Sequence, residues 1–176
     1  MKALTLWQPW ASLVSLGVKT IETRSWDTKY RGPLAIHAAI KKPNFATVGN
    51  YDIDRFFKRA PYRLIGPRCN EAELPLGAVV ATCELVDVVP IGYPKIPAPN
   101  NKPGIQHSIH EQLLLSYPGQ AIRDIGDQLP YGDYSDKRFA WLLTDIKPCG
   151  PIPAKGRQGL WEWNTEALAI AEGITA

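Results

Sequence analysis

Cysteine is scarce in this sequence, which has three among its 176 residues. Cys69, Cys83 and Cys149 are widely spaced and odd in number, so they predict neither a disulfide framework nor a zinc site. His107 and His110 have no evident third ligand, and no cofactor motif is present, so we expect no metal and no cofactor. Isolated cysteines are typical of reduced cytosolic thiols, which predicts a cytoplasmic location.

Long apolar runs are also absent. No stretch approaches the ~20 residues that a helix needs to cross a bilayer. The segment from Lys2 to Gly17 has some features of a signal peptide, but Gln8 and Pro9 interrupt its apolar stretch. We therefore interpret it as folded structure and expect no membrane association.

A strong excess of charge is missing as well. The formal net charge is +3, and the Lys and Arg residues are scattered along the chain. A domain dedicated to duplex binding is usually more basic, with its cations clustered on one face. This pattern argues against a long electrostatic track and favours a local site, with RNA, single-stranded nucleic acid or a nucleotide as partner. No signal in the sequence sets an oligomeric state.

Turn-forming residues, by contrast, are plentiful: the sequence has 14 Gly and 16 Pro. They separate short alternating or β-branched segments that predict about six strands, with short helices inserted after Pro9 and near the carboxyl end. We therefore predict an α+β, mainly β fold, a small mixed β-barrel formed by one domain over residues 1–176. The predicted strands are Leu4–Leu6, Thr20–Arg24, Leu34–Ala39, Gly77–Val89, Lys137–Ile146 and Leu160–Trp163.

One octapeptide within this pattern resembles a family signature. The segment Gly17–Arg24 reads G-V-K-T-I-E-T-R and is similar to the G-x-K-x-x-E-x-R motif of the ASCH (activating signal cointegrator homology) family. Gln8-Pro9-Trp10 lies one helix upstream, and the segments Tyr30–Ala38 and Pro75–Leu85 resemble the family's glycine turn and central strand. The resemblance implies a PUA-like barrel, with loop or helix expansions near 41–75 and 91–136.

The resemblance also narrows the function. Family members are proposed to bind RNA, one group hydrolyses the acetyl group of N4-acetylcytidine, another resembles a ribonuclease, and PUA-like relatives recognise modified bases. In the acetylcytidine hydrolases the nucleophilic threonine aligns with Glu22, and a carboxylate is a poor substitute for an activated hydroxyl. Glu22 could instead activate a water, with Lys19 stabilising the oxyanion.

Lys19, Glu22 and Arg24 are the central candidates for a binding site. The two cations can hold a phosphate or a base carbonyl, and the carboxylate can accept from an amino group on a base edge. The alternative is an ion-paired strand surface with no ligand. If strand alternation extended to Lys19, its side chain would point to the opposite face from Glu22 and Arg24. Lys19 can join them because it lies before the strand, at the junction with the helix.

The tryptophans supply candidate stacking surfaces. Trp10 and Trp26 flank the motif, and stacking of a base on an indole is worth ~1–3 kcal/mol. Trp141 and Trp163 are predicted to be core residues.

The remaining candidates each have a structural alternative. Gln8 could read a base edge or make a hydrogen bond at the helix end. His37 could belong to the site or be a semi-buried strand residue. Lys155 and Arg157, in a glycine-flanked loop, could contact phosphates or form a solvated turn.

Three functions remain open at this point. Binding of RNA or a modified nucleotide is the leading hypothesis. The second is a hydrolase acting on RNA or a modified nucleoside, like a ribonuclease or an N4-acetylcytidine amidohydrolase, with Lys19 and Glu22 as the acid and base. The third is a protein-interaction domain that uses the proline-rich loop from Pro90 to Pro103.

Overall fold

A computed structural model describes residues 1–42, 74–91, 128, 131–135 and 137–171 of this protein. Most of the two predicted expansions and of the proline-rich loop lies outside the described residues. The strands are β1 (Lys2–Leu6), β2 (Ile21–Arg24), β3 (Gly32–Ala38), β4 (Ala78–Ile91), β5 (Arg138–Pro153) and β6 (Leu160–Glu162), and the helices are α1 (Trp10–Ser15) and α2 (Glu166–Ala171).

The strands form one mixed sheet in the order β2-β5-β4-β3-β1-β6. β1 pairs with β3 in parallel, and the other pairs are antiparallel. The prediction of a mainly β fold with six strands and short helices is confirmed. Within the described ranges β2 and β6 are the two edges, so backbone pairing does not close the sheet into a complete barrel. The expectation of one domain over residues 1–176 stays a prediction.

Two layers of side chains pack against this sheet. On one side, which we call the inner face, Trp141 packs with residues of β1, β3, β4 and helix α1. These include Leu4, Ile36, Leu85 and Val14. We call the outer face the side on which Ala3, Ala35, Val79, Trp161 and Trp163 pack, with Ala167 and Leu168 of α2 against them. Trp141 and Trp163 are buried, as predicted.

The inner face depends on the short helix α1. Ala11, Leu13 and Val14 are wholly buried, and Gly17 ends the helix with a φ of 71°, where a glycine avoids the strain of a side chain. The backbone N–H groups of Val18 and Lys19 both donate to Leu13 O. This turn brings the chain directly from the helix into β2.

β5 is longer than the sequence indicated. The prediction ended the strand at Ile146, because Pro148, Gly150 and Pro151 follow, but the strand continues to Pro153. Irregular register between β4 and β5 explains the difference, since Val79 pairs with Ile152 and Ala81 with Pro148, leaving extra residues of β5 between them. Bulges of this kind accommodate proline and glycine inside a strand.

Helix α1 and helix α2 have six residues each. In the part of the chain that the structure describes, no helix has both the length and the apolar character needed to cross a membrane.

Trp141→Ala should lower the free energy of unfolding by about 3–5 kcal/mol, because it leaves a cavity at the centre of the inner face. Trp7→Ala is the matched control: it removes the same indole from a position that is 60% exposed, and should cost less than about 1 kcal/mol. Urea denaturation followed by circular dichroism measures both. Equal losses would contradict this assignment of the core.

Candidate functional site

Lys19 is a buried cation at the junction between α1 and β2. Its side chain is 1% exposed. Its Nζ donates to the carbonyl oxygens of Ile21 and Tyr131, at 2.6 Å each, and lies 3.2 Å from Glu22 Oε2. Burial lowers the pKa of Lys19 below the usual lysine value, and the Glu22 carboxylate opposes part of this effect. All three ammonium hydrogens therefore have acceptors inside the protein.

Glu22 and Arg24 project from β2 onto the inner face. Their partners on β5 are Trp141 and Phe139, and directly opposed residues of an antiparallel pair share a face. Glu22 Oε1 is 3.1 Å from Arg24 Nε, an ion-pair contact that is not aligned as a hydrogen bond. The structure thus brings Lys19, Glu22 and Arg24 together, with the carboxylate between the two cations.

Arg24 also bridges the open side of the sheet. Its Nη2 donates to Thr5 O of β1 at 2.8 Å. β6 pairs with β1 only from Lys2 to Leu4, so the Thr5 carbonyl lies beyond the paired part of that edge. The guanidinium therefore links β2 to β1 across a seam that backbone pairing does not close in the described sheet.

The two ends of the motif differ in what they can offer a ligand. Lys19 is enclosed and fully engaged, whereas the side chains of Glu22 and Arg24 are 10% and 24% exposed. A ligand at this site would meet the carboxylate and the guanidinium, with Lys19 behind them. Lys19 is accordingly a positioning residue for Glu22.

Of the two tryptophans that flank the motif, Trp26 lies on the inner face. It is partly buried there and meets Trp141 edge to face, with ring centroids 4.7 Å apart and an interplanar angle of 82°. Trp10 is the first residue of α1 and is partly buried. Trp26 thus contacts Trp141, the residue that pairs with Glu22, and so lies near the motif.

Gln8 adopts the structural alternative weighed from the sequence. Its Oε1 accepts from the Ser12 N–H at 3.1 Å, and its Nε2 donates to Pro75 O at 2.8 Å. The side chain is buried. These contacts join the start of α1 to the segment before β4 and leave no exposed amide group to read a base.

His37, Lys155 and Arg157 lie on the other side of the sheet. Thr5 and His37 are paired residues of β1 and β3 whose strand neighbours Leu4 and Ile36 face inward. All three candidates line a cavity of about 830 Å³, which we call the outer cavity. The nine candidate residues therefore do not form a single cleft. Strand alternation places Glu22 and Arg24 on the inner face and His37 on the outer face, where the loop with Lys155 and Arg157 also lies.

The His37 ring is held against the outer face. Its Nε2 is 3.0 Å from Ala154 O, and the ring meets Trp161 edge to face with centroids 5.6 Å apart. Burial lowers the pKa of His37 below its usual value, although the contact with Ala154 O opposes this. A neutral imidazole that donates to Ala154 is the form this site favours.

Several residues around the two sites carry no clear signal in the sequence. Gln128 accepts from the Thr20 N–H and donates to Val18 O, both at 2.8 Å, and Tyr131 supplies a carbonyl to Lys19. They come from a segment without recognisable periodicity. Trp7 has a weak signal, since it follows an alternating strand, and it is exposed with Lys41 Nζ 4.6 Å above its ring.

Among the residues that the structure describes, no three His, Cys, Asp or Glu side chains are grouped as metal ligands. The donor set of the motif is a carboxylate between two cations, which suits an organic ligand with polar groups better than a cation.

Comparison with known proteins decides the family. The model of the ASCH domain matches residues 4–147, most of the chain. This protein belongs to the ASCH domain family. The resemblance noted in the octapeptide is confirmed, and the octapeptide lies inside the matched region.

Relatives of this ASCH protein include activating signal cointegrator 1 of Homo sapiens and of Mus musculus, which are 37% and 36% identical to it over 86 residues. The match covers 48% of this chain and 14% of each relative, so those proteins are far longer. Two crystal structures are also similar: the ASCH protein of Zymomonas mobilis and a single-residue variant of it. Each is 16% identical to this chain, with a TM-score of 0.47. Each match covers 99% of this chain, and it covers 95% of the unsubstituted protein and 98% of the variant.

Lys19→Met should lower the free energy of unfolding by about 3–5 kcal/mol, because it removes a buried donor from three acceptors, one of them a carboxylate. Lys147→Met is the control: that lysine pairs with Asp145 at the surface, and its loss should cost about 0–1 kcal/mol. Urea denaturation at neutral pH measures the two. A loss below about 1 kcal/mol for Lys19→Met would show that the network does not hold the fold together.

His37 should make stability depend on pH in the acidic range. Because its pKa in the folded protein is below the usual 6.5, the unfolded chain binds the proton first as the pH falls. Stability is therefore expected to fall from pH 6.5 down to the lowered pKa. His37→Gln should lack this component. Thermal denaturation of both proteins between about pH 8 and about pH 5 measures the difference, and parallel curves would contradict the expectation.

Proposed function

We propose that this ASCH domain binds single-stranded RNA or a nucleotide through the inner-face site formed by Glu22, Arg24 and Trp26. The observation that supports this most is a carboxylate, with its side chain 10% exposed, that is fixed between two cations. It lies where β2 and β1 have no backbone pairing in the described ranges. The family assignment is consistent with such a ligand.

The chemistry of these groups matches a nucleobase. A carboxylate accepts hydrogen bonds from amino or imino groups on a base edge, and a guanidinium donates to base carbonyls or to phosphate. An indole offers a surface for stacking, which tolerates any base. Glu22, Arg24 and Trp26 supply one group of each kind.

The network is also rigid, which favours binding. Lys19 holds Glu22 from behind, and Arg24 is held by both Glu22 and Thr5 O. Side chains already fixed in the free protein lose little conformational entropy when a ligand arrives. Apolar side chains of similar volume often stabilise a core as well as a buried ion pair does, so stability alone does not require these charges.

Hydrolysis, with Lys19 and Glu22 as acid and base, is the less favoured function. A catalytic lysine must exchange a proton with the substrate, but Lys19 is enclosed and donates to two carbonyls and Glu22. A general acid or base needs to reach the proton that it transfers. Binding requires only the exposed edges of Glu22 and Arg24.

Single-stranded RNA of about ten nucleotides should quench the tryptophan fluorescence at low salt, and added salt should weaken the effect. Trp26→Phe should remove most of the quenching, because the indole beside the motif is gone. Trp163→Phe removes a buried indole of the outer face and should leave the quenching intact. Arg24→Lys should weaken binding by about 1–3 kcal/mol, since a lysine cannot reproduce the fork of the guanidinium.

Arg138→Lys is the control for Arg24→Lys. The exposed fraction of its side chain is similar, and it also donates to a strand carbonyl, Thr23 O. Arg138 precedes Phe139 in β5, and Phe139 pairs with Arg24, so the side chain of Arg138 projects from the opposite face. Unchanged fluorescence with both RNA and nucleosides at low salt would refute the proposal. Turnover of N4-acetylcytidine or labelled RNA that Glu22→Gln abolishes would support the hydrolase instead.

A further inference from the structure

The outer cavity has the size and charge of a phosphate-binding site. Its volume of about 830 Å³ is within the range of small-molecule sites. The described residues that line it include Lys41, Lys155 and Arg157 and no aspartate or glutamate. Three cations without a carboxylate among these residues favour an anionic ligand.

The cations of the outer cavity are not neutralised within the described residues. Lys155 and Arg157 are exposed and form no ion pair with any of the carboxylates that the structure describes. Elsewhere on the surface, several cations are paired with a carboxylate within 4 Å. These are Lys2 with Glu162, Arg31 with Asp87, Arg138 with Asp133 and Lys147 with Asp145. Among the described residues, no carboxylate competes with a ligand for the charge of Lys155 and Arg157.

The wall of the cavity supplies polar groups as well. Thr5 Oγ1 accepts from Trp161 Nε1 at 3.1 Å, which leaves its own O–H to donate. His37 is buried, with 2% of its surface exposed, and its Nδ1 has no hydrogen-bond partner among the described residues. In the tautomer that donates from Nε2 to Ala154 O, Nδ1 is an acceptor, so it suits a water or a hydroxyl group at this wall and not a phosphate oxygen.

Gly156 holds the basic loop close to this wall. A Cβ at this position would lie 2.7 Å from His37 Nδ1 and 3.1 Å from Thr5 Oγ1. The first of these distances is shorter than real Cβ contacts, so a side chain here would require the loop or the His37 ring to move. Glycine therefore allows the loop to pass directly over His37, and this places Lys155 and Arg157 at the cavity.

Thr5 is shared by the two sites. Its carbonyl oxygen accepts from Arg24, and its side chain lines the outer cavity. Because β6 pairs with β1 only as far as Leu4, the edge of β1 at Thr5 has no strand beside it in the described sheet. A nucleic acid strand could pass this edge, with a base on one side and a phosphate on the other.

We propose that the outer cavity binds a backbone phosphate of the RNA strand whose base is held by Glu22 and Arg24, with Lys155 and Arg157 as the phosphate contacts. This inference rests on the proposed function, since one strand is taken to reach both sites. The ligand group is a phosphate, internal or terminal.

The test is a double variant, Lys155→Ala with Arg157→Ala, measured by fluorescence anisotropy of a 3′-labelled single-stranded RNA over a range of salt concentrations. We expect affinity to fall by about tenfold at low salt, and the slope of log K against log salt to decrease by about 0.7 for each lost contact. The quenching that depends on Trp26 should still be reached at saturation, because the base site is intact.

The matched control is Lys29→Ala with Lys147→Ala, which removes the same charge from two exposed lysines outside the cavity. It should leave affinity and slope nearly unchanged. Both double variants replace exposed side chains, so their thermal denaturation should match that of the wild type. A cavity variant that binds like this control would overturn the inference and leave the proposed function standing.

Other outcomes separate the two proposals further. If the wild-type protein binds no RNA, both are overturned. In another outcome, the cavity variant loses affinity while RNA causes no quenching that depends on Trp26. This result would refute both the base site at Glu22 and Arg24 and the inference that one RNA strand reaches both sites. RNA with a 5′-hydroxyl and RNA with a 5′-phosphate distinguish the source of the phosphate. If the cavity variant loses the same affinity for both RNAs, the bound phosphate is internal. If it loses affinity only for the 5′-phosphorylated RNA, the bound phosphate is terminal.

Discussion

The buried ammonium of Lys19 is the interaction on which the site depends. An unpaired charge in the interior is costly, so Nζ requires several acceptors, and it has two carbonyls and the Glu22 carboxylate. Those acceptors come from β2 and from Tyr131, far along the chain. Meeting the needs of one cation therefore fixes the start of β2, the position of Glu22 and, through Glu22, that of Arg24.

The fold was largely predictable because its strands have strong local patterns. The β-branched run of β4 and the alternation in β1, β2 and β3 predict strands that the structure contains, and Gly17 correctly predicts the end of α1. The extension of β5 to Pro153 was not predictable, because it depends on bulges against β4 and local sequence argues against a strand there.

The candidate site was predictable only in part. The motif indicated that Lys19, Glu22 and Arg24 converge, and they do. The division between the two faces was missed, since the faces of separate strands are related only through their pairing. Gln8 illustrates a different limit: an amide can serve a ligand or the protein, and only its contacts with Ser12 and Pro75 distinguish the two.

The bridge from Arg24 to Thr5 has a mechanical consequence. Neighbouring strands of this sheet are joined by ladders of backbone hydrogen bonds, so separating them breaks many bonds at once. Between β2 and β1 the described link is one guanidinium hydrogen bond, and cooperative protection is correspondingly small. Among the described strands, a side chain of the motif thus takes the place of a backbone ladder between β2 and β1, so a substitution of Arg24 would also leave the Thr5 carbonyl without this donor.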